Sequence, residues 1–183
     1  MRYHLNWLKE KYDRGEVMKY IFFWGHTSKE NEQVGKFVFS QWYQAPFVVD
    51  GVQYHTAEHW MMAGKALLFD DRDTFQKIVA AIKPGEVKEL GRQIRNFHQQ
   101  HWDAHKYEIV KQGSIHKFAN HQELKDYLLN TGDRVLVEAS PVDVIWGIGL
   151  SQDARNVENP HTWKGQNLLG FALMETRDFL RGK

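Results

Sequence analysis

The chain has 183 residues, 24 Lys and Arg against 23 Asp and Glu, and no cysteine. That length suits one compact domain that buries its own core, and the missing thiols exclude disulfides and Cys-ligated metal centres and agree with a reducing, cytoplasmic setting. A formal charge of +1 is too small for a protein that grips nucleic acid broadly along its backbone, so contact with DNA or RNA is expected to run through a pocket and a small patch.

At the N-terminus, MRYHLNWLKEKYDRGEV has no apolar centre of the kind a secretory signal carries. Leu5, Leu8 and Tyr12 with charges between them predict a short surface helix within residues 1–19, an extension ahead of a main domain over 20–183. Tyr20–Trp24 is expected to be a buried strand, Thr27–Gly35 a polar loop, and Lys36–Tyr43 and Phe47–Tyr54 two further strand-like runs. Asp50-Gly51 inside the last of these signals a hairpin turn. Thr56 is a natural N-cap for a helix over Ala57–Phe69. Helices are predicted over Asp70–Ile82, ended by Lys83-Pro84-Gly85, then over Glu86–Ile94, Asp103–Lys117 and Gln122–Leu129. Arg134–Ala139 alternates as a strand does, Pro141–Asn159 is irregular, and Asn167 is placed to cap a last helix, Leu168–Leu180. The expected fold is α+β: one compact, mostly helical domain with a small β-sheet. No apolar run approaches the roughly 18 residues that span a bilayer, so no membrane partner is expected.

Three stretches carry residue types suited to chemistry. In Tyr54-His55-Thr56-Ala57-Glu58-His59-Trp60, a carboxylate at a helix start among aromatics suits acid–base work, and equally suits the helix dipole. His55 and Glu58-His59 also fit the H-x-x-E-H pattern of inverted zinc peptidases. Thr56 as the cap leaves His55 outside the helix and pointing elsewhere, which makes a zinc hydrolase the remote alternative. Lys65 lies two turns beyond Glu58 on the same face, among Met61, Met62, Ala66 and Leu67, and is either a surface lysine or a partly desolvated one able to hold phosphate or attack a sugar carbonyl. In the second stretch, Glu138–Gly147, Asp143 is either a second carboxylate or an Asx turn, and Trp146 either a stacking wall or a core ring. The third combines Arg92, whose planar fork fits a phosphate oxygen, with Trp102 and Asn167. Their plainer roles are a surface ion pair, a core aromatic and a helix cap.

Taken in order, the tracts Phe39-Ser40-Gln41-Trp42, Asp50-Gly51 with Tyr54, Thr56 to Met62 with Lys65 and Ala66, Gly91-Arg92, Trp102, Lys117-Phe118, Leu136-Val137-Glu138, Asp143 with Trp146-Gly147, Asn167 to Gly170, and Leu173-Met174 with Arg177 resemble the YbiA/NADAR family over about residues 20–181. The resemblance implies a YbiA-like fold and a metal-independent N-glycosidase with no cofactor. It implies catalytic roles for Glu58, Asp143 and Lys65, with Trp102, Trp146, Arg92, Trp24, Gly25 and Asn167 around the substrate. Family members of this kind act on phosphorylated ribosylaminopyrimidine intermediates of riboflavin synthesis, or remove ADP-ribose from guanine in nucleic acid, sometimes as antitoxin to an ADP-ribosyltransferase toxin. Here Trp60-Met61 stands where the enterobacterial riboflavin-pathway member has Tyr-Phe, and Phe23-Trp24-Gly25-His26 replaces its Phe-Tyr. Both departures point toward ADP-ribosylated guanine, with ADP-ribosylated DNA as the expected partner and a cognate toxin as a further one. A non-catalytic ADP-ribose-binding module is the alternative from another class.

Overall fold

The computed structural model describes residues 1–28 and 33–182, so the expected loop Thr27–Gly35 lies partly outside the described residues. In chain order the elements are α1 (Leu5–Asp13), β1 (Tyr20–Phe23), a 3₁₀ turn (Lys36–Phe39), β2 (Phe47–Val49), β3 (Val52–Tyr54), α2 (Ala57–Leu68), α3 (Arg72–Ala80), α4 (Pro84–Arg92), α5 (Gln99–Asn120), α6 (Gln122–Leu129), β4 (Val135–Glu138), a second 3₁₀ turn (Pro160–Thr162) and α7 (Leu168–Leu180). The mostly helical α+β fold is as expected. The chain forms two compact units, one of residues 1–40 and 123–183, the other of residues 41–122.

In the first unit, β1 and β4 pair in parallel, with Tyr20 opposite Val135 and Phe23 opposite Glu138. β4 is flanked by α7, which is buried on nearly every side from Leu168 to Met174. A helix apolar all round is one that sits inside a core. Leu136, Ile148, Leu169, Phe171 and Leu173 are completely or almost completely covered there. Arg177, also buried, donates from Nη1 to Thr131 Oγ1 at 2.8 Å and to the Arg134 carbonyl at 2.9 Å, which ties α7 to the turn before β4.

In the second unit, β2 and β3 form an antiparallel hairpin, Phe47 opposite Tyr54. Its two-residue turn, Asp50 (φ 50°) and Gly51 (φ 79°), has positive φ at both positions, the geometry whose twist matches the flanking strands. α2 packs on α3, α4 and α5. Trp60 lies against α5 where that helix has Gly113: a Cβ there would stand 2.4 Å from the indole Cδ1. The indole N–H meanwhile donates to the Ile109 carbonyl at 2.8 Å. Asp71, almost fully covered, caps α3 through Thr74 and receives the Arg95 guanidinium at 2.8 Å, and those bonds hold its carboxyl well below the usual range.

Several expectations need correction. Among the described residues the single small sheet is two separate two-stranded sheets. Lys36–Phe39 is a 3₁₀ turn rather than part of a strand; Phe37, Val38 and Phe39 are buried in succession, which the alternate facing of a half-buried strand does not allow. Pro84 opens α4 at its first turn, where its missing N–H costs nothing, instead of ending the preceding segment. α5 is also longer than Asp103–Lys117 at both ends.

Candidate functional site

The second unit holds Glu58, Lys65, Arg92 and Trp102. Glu58 sits in the first turn of α2, 4% exposed, and its N–H donates to the Gln41 carbonyl at 2.9 Å. Thr56 caps the helix by accepting from the His59 N–H. The His59 ring is fixed on both sides: Nε2 donates to the Ala81 carbonyl at 3.1 Å, so Nδ1 accepts from the Thr56 hydroxyl at 2.8 Å. Burial lowers the His59 pKa, in keeping with a neutral ring. His55 precedes the helix as expected, but it does not point elsewhere: its ring stands edge-on to His59 with centroids 5.5 Å apart. With both His59 nitrogens engaged, the H-x-x-E-H pattern is spent on capping and packing. No group of three or more His, Cys, Asp or Glu is placed to hold a metal among the described residues.

Lys65, two turns along α2 from Glu58, is half-buried. Its ammonium donates to the Gly91 carbonyl at 2.7 Å and lies 4.3 Å from the Phe97 ring centre and 5.7 Å from that of Trp102. A cation over aromatic faces is attracted by their quadrupoles, and shedding water strengthens that attraction. Burial also lowers the Lys65 pKa, so its amine gives up a proton more readily than a surface lysine does. Trp102, half-buried in the first turn of α5, is thereby brought to Lys65. Arg92 is not: its guanidinium pairs with Glu89 on the exposed face of α4, which is the plain surface ion pair.

Three features of this unit escaped the sequence reading. Phe97 lies just ahead of α5 in no periodic pattern, and only the fold reveals it as the nearest ring to Lys65. Gln41 is buried, with Oε1 lacking a hydrogen-bond partner among the described residues, while its carbonyl holds the Glu58 N–H; the tract Phe39-Ser40-Gln41-Trp42 is its signal. Lys117, on α5, is completely buried, its ammonium 5.4 Å from the Tyr43 ring centre and 5.3 Å from that of Phe118. Burial pushes its pKa down to about 7.

The first unit holds Trp24, Gly25, Asp143, Trp146 and Asn167. β1 and β4 run in the same direction, so Trp24-Gly25 and the loop from Ala139 leave the sheet at the same end, with the Ala139 N–H donating to the Phe23 carbonyl at 2.9 Å. Strand ends of this kind are where α/β folds place ligands. Trp24 is 62% exposed, and Gly25 has φ 83° with open space where a side chain would stand. Asp143 forms an Asx turn: Oδ1 accepts from the Ile145 and Trp146 N–H groups, both at 2.8 Å. Trp146, half-buried, is thus held by Asp143 through its backbone. Asn167 heads α7 with φ 55° but caps nothing with its side chain, which corrects the helix-cap expectation. Its Oδ1 accepts from the Glu138 N–H and its Nδ2 donates to the Leu136 carbonyl, each at 2.9 Å, and it is 0% exposed. Both amide groups of Asn167 thus hold the backbone of β4, each with one hydrogen bond.

Residues 22–181 match the family model described as the NADAR domain. The chain is 45% identical over 169 residues to an N-glycosidase of Acanthamoeba polyphaga mimivirus, covering 89% of this chain and 97% of that one. It is 31% identical over 142 residues to the N-glycosidase YbiA of Escherichia coli strain K12, covering 78% and 80%. The NMR structure of the E. coli protein YbiA superposes with a TM-score of 0.69 at 29% identity, over 90% of this chain and 88% of that one. Family model, relatives and solved structure agree, and the chain belongs to the NADAR family.

Proposed function

We propose that this protein is an N-glycoside hydrolase that removes ADP-ribose from the amino group of guanine in nucleic acid. The observation that carries the reading is Lys65, a half-buried cation close to the Phe97 and Trp102 rings on the same face of α2 as the buried Glu58. Two N-glycosidases among the relatives support the reaction class.

The bond to be broken joins ribose C1 to an exocyclic amino nitrogen. As it breaks, its electron pair stays on nitrogen, which takes up a proton, and positive charge builds on the sugar. A carboxylate near C1 stabilises that charge and takes a proton from the incoming water, whose oxygen forms the new bond to C1. Glu58 is assigned this role. Lys65 either binds a phosphate of the diphosphate or attacks C1 of the ring-opened sugar as a neutral amine, expelling the guanine amine and leaving a Schiff base that water then hydrolyses. Trp102 stacks on a flat ring. Asp143 is assigned to the ribose hydroxyls on the strength of the family pattern.

The test is a mass-resolved hydrolysis assay with EDTA present, on ADP-ribosylated guanine in a DNA oligonucleotide and on a ribosylaminopyrimidine phosphate, with wild type beside Glu58→Gln. Wild type is expected to release ADP-ribose from the DNA, and Glu58→Gln to turn over about 10²–10⁴-fold more slowly while still binding substrate. Cleavage of the pyrimidine alone would keep the reaction class and overturn the substrate. ADP-ribose binding without cleavage of either would make the protein a reader. A borohydride-trapped adduct lost in Lys65→Ala would assign the Schiff base to that lysine; no adduct would leave it the phosphate.

A further inference from the structure

Within the first unit, α1 and the segment after it, the start of β4 and the C-terminal half of α7 enclose a cleft of about 550 Å³. Of these, α1 and residues up to 21 precede the NADAR match, which begins at residue 22. None of the residues expected to act on the substrate lines this cleft.

Its charges do not cancel. Three acids line it, and each already has a basic partner: Asp178 takes Arg2 at 2.9 Å and the Tyr3 hydroxyl at 2.7 Å, Glu16 takes Lys11 and Arg14, and Asp133 takes Arg181 at 3.0 Å. Three further lining cations, Lys19, Arg134 and Arg177, make no ion pair with a carboxylate among the described residues. Arg134 spends Nε and Nη2 on the Thr131 and Asn130 carbonyls. Arg177 uses Nη1 on Thr131 and the Arg134 carbonyl, while its Nε–H is buried with no acceptor among the described residues. Its charge is buried beside the cleft, and a buried guanidinium favours an anion nearby. The other wall is aromatic: the half-buried Trp7 ring, with Tyr3 edge-on to it at 4.9 Å.

The lining residues carry two more positive charges than negative ones, an excess that suits a dianionic terminal phosphate better than a carboxylate or a singly charged diester within a strand. The volume exceeds what one ring with an acid group needs and lies in the range of small-ligand sites, about 300–1,000 Å³. We propose that this cleft binds a nucleoside monophosphate, its base against Trp7 and its phosphate taken by Lys19, Arg134 and Arg177. It is a second site, separate in its residues from Glu58, Lys65 and Trp102.

Isothermal titration of the full chain with AMP and GMP tests this. Lys19 is exposed, so Lys19→Glu is expected to fold as wild type does and to weaken AMP by about tenfold or more, the loss of one charge-assisted contact. Lys77→Glu, the same change of charge at an exposed position of α3, is expected to bind AMP as wild type does. Inorganic phosphate and adenosine, run separately, should each bind more weakly than AMP. The proposal is overturned if neither nucleotide binds wild type at millimolar concentration, or if phosphate alone matches AMP. Wild-type affinity in Lys19→Glu, or an equal loss in Lys77→Glu, would likewise overturn it.

Discussion

Lys117 makes stability depend on pH in a calculable way. Its ammonium is completely buried, and burial lowers its pKa from 10.5 to about 7. In the unfolded chain the lysine keeps its ordinary pKa. Below pH 7 both states hold the proton, and above pH 10.5 neither does. Between these limits the unfolded chain binds a proton that the folded protein does not, so stability rises with pH across this window. The slope is about 1.4 kcal/mol per pH unit and the full rise about 4–5 kcal/mol. Lys117→Met keeps the length of the side chain and removes the titration. Urea unfolding of both proteins at intervals from pH 6.5 to 10 isolates the effect, because other titrating groups cancel in the difference. The stability of wild type relative to Lys117→Met is expected to climb by several kcal/mol over that range. A difference that stays flat would refute the reasoning and mean that Lys117 keeps its charge inside the protein.

Other substitutions separate packing from chemistry. Trp102→Ala should weaken ADP-ribose binding by about 1–3 kcal/mol if its ring stacks on a base, read by titration, with little change in melting temperature. Asp143→Asn keeps an acceptor oxygen for the Ile145 and Trp146 N–H groups, so it should melt like wild type yet lose turnover. Asp143→Ala strips both acceptors from the loop and should lose stability as well; equal turnover in wild type and Asp143→Asn would leave this residue a turn former only. Gly113→Ala drives a methyl into the Trp60 indole and should cost about 1–3 kcal/mol by chemical denaturation.

Local rules made much of this fold legible. Thr56 before Ala57-Glu58 marks the start of α2 by cap chemistry, and Asp50-Gly51 marks its hairpin by tolerance of positive φ, both decided within four residues. The start of α5 was not legible, because His98 provides no capping bond and Gln99 to His101 are polar without a pattern. Lys36–Phe39 has strand-like composition, and only packing on three successive residues makes it a turn. The same division holds for the candidate site. Glu58 could be singled out from its place at a helix start. What surrounds Lys65 could not, since Phe97 and the Gly91 carbonyl reach it from other segments. Lys117 contradicts the rule that lysines lie outside, and a rule of composition cannot announce its own exception.

Asn167 also decides how the covered edge of β4 is satisfied. Parallel pairing with β1 satisfies one edge of the strand and leaves on the other backbone groups that are buried under α7, where no water reaches them and each needs a partner inside the protein. The Asn167 amide, donor and acceptor together, occupies two of those positions as a peptide unit would. With the Ile148 N–H donating to the Glu138 carbonyl at 3.0 Å, it stands in for a neighbouring strand that the fold does not supply. Replacing it with alanine would do more than subtract two hydrogen bonds: it would leave a buried N–H and a buried carbonyl with nothing to take them.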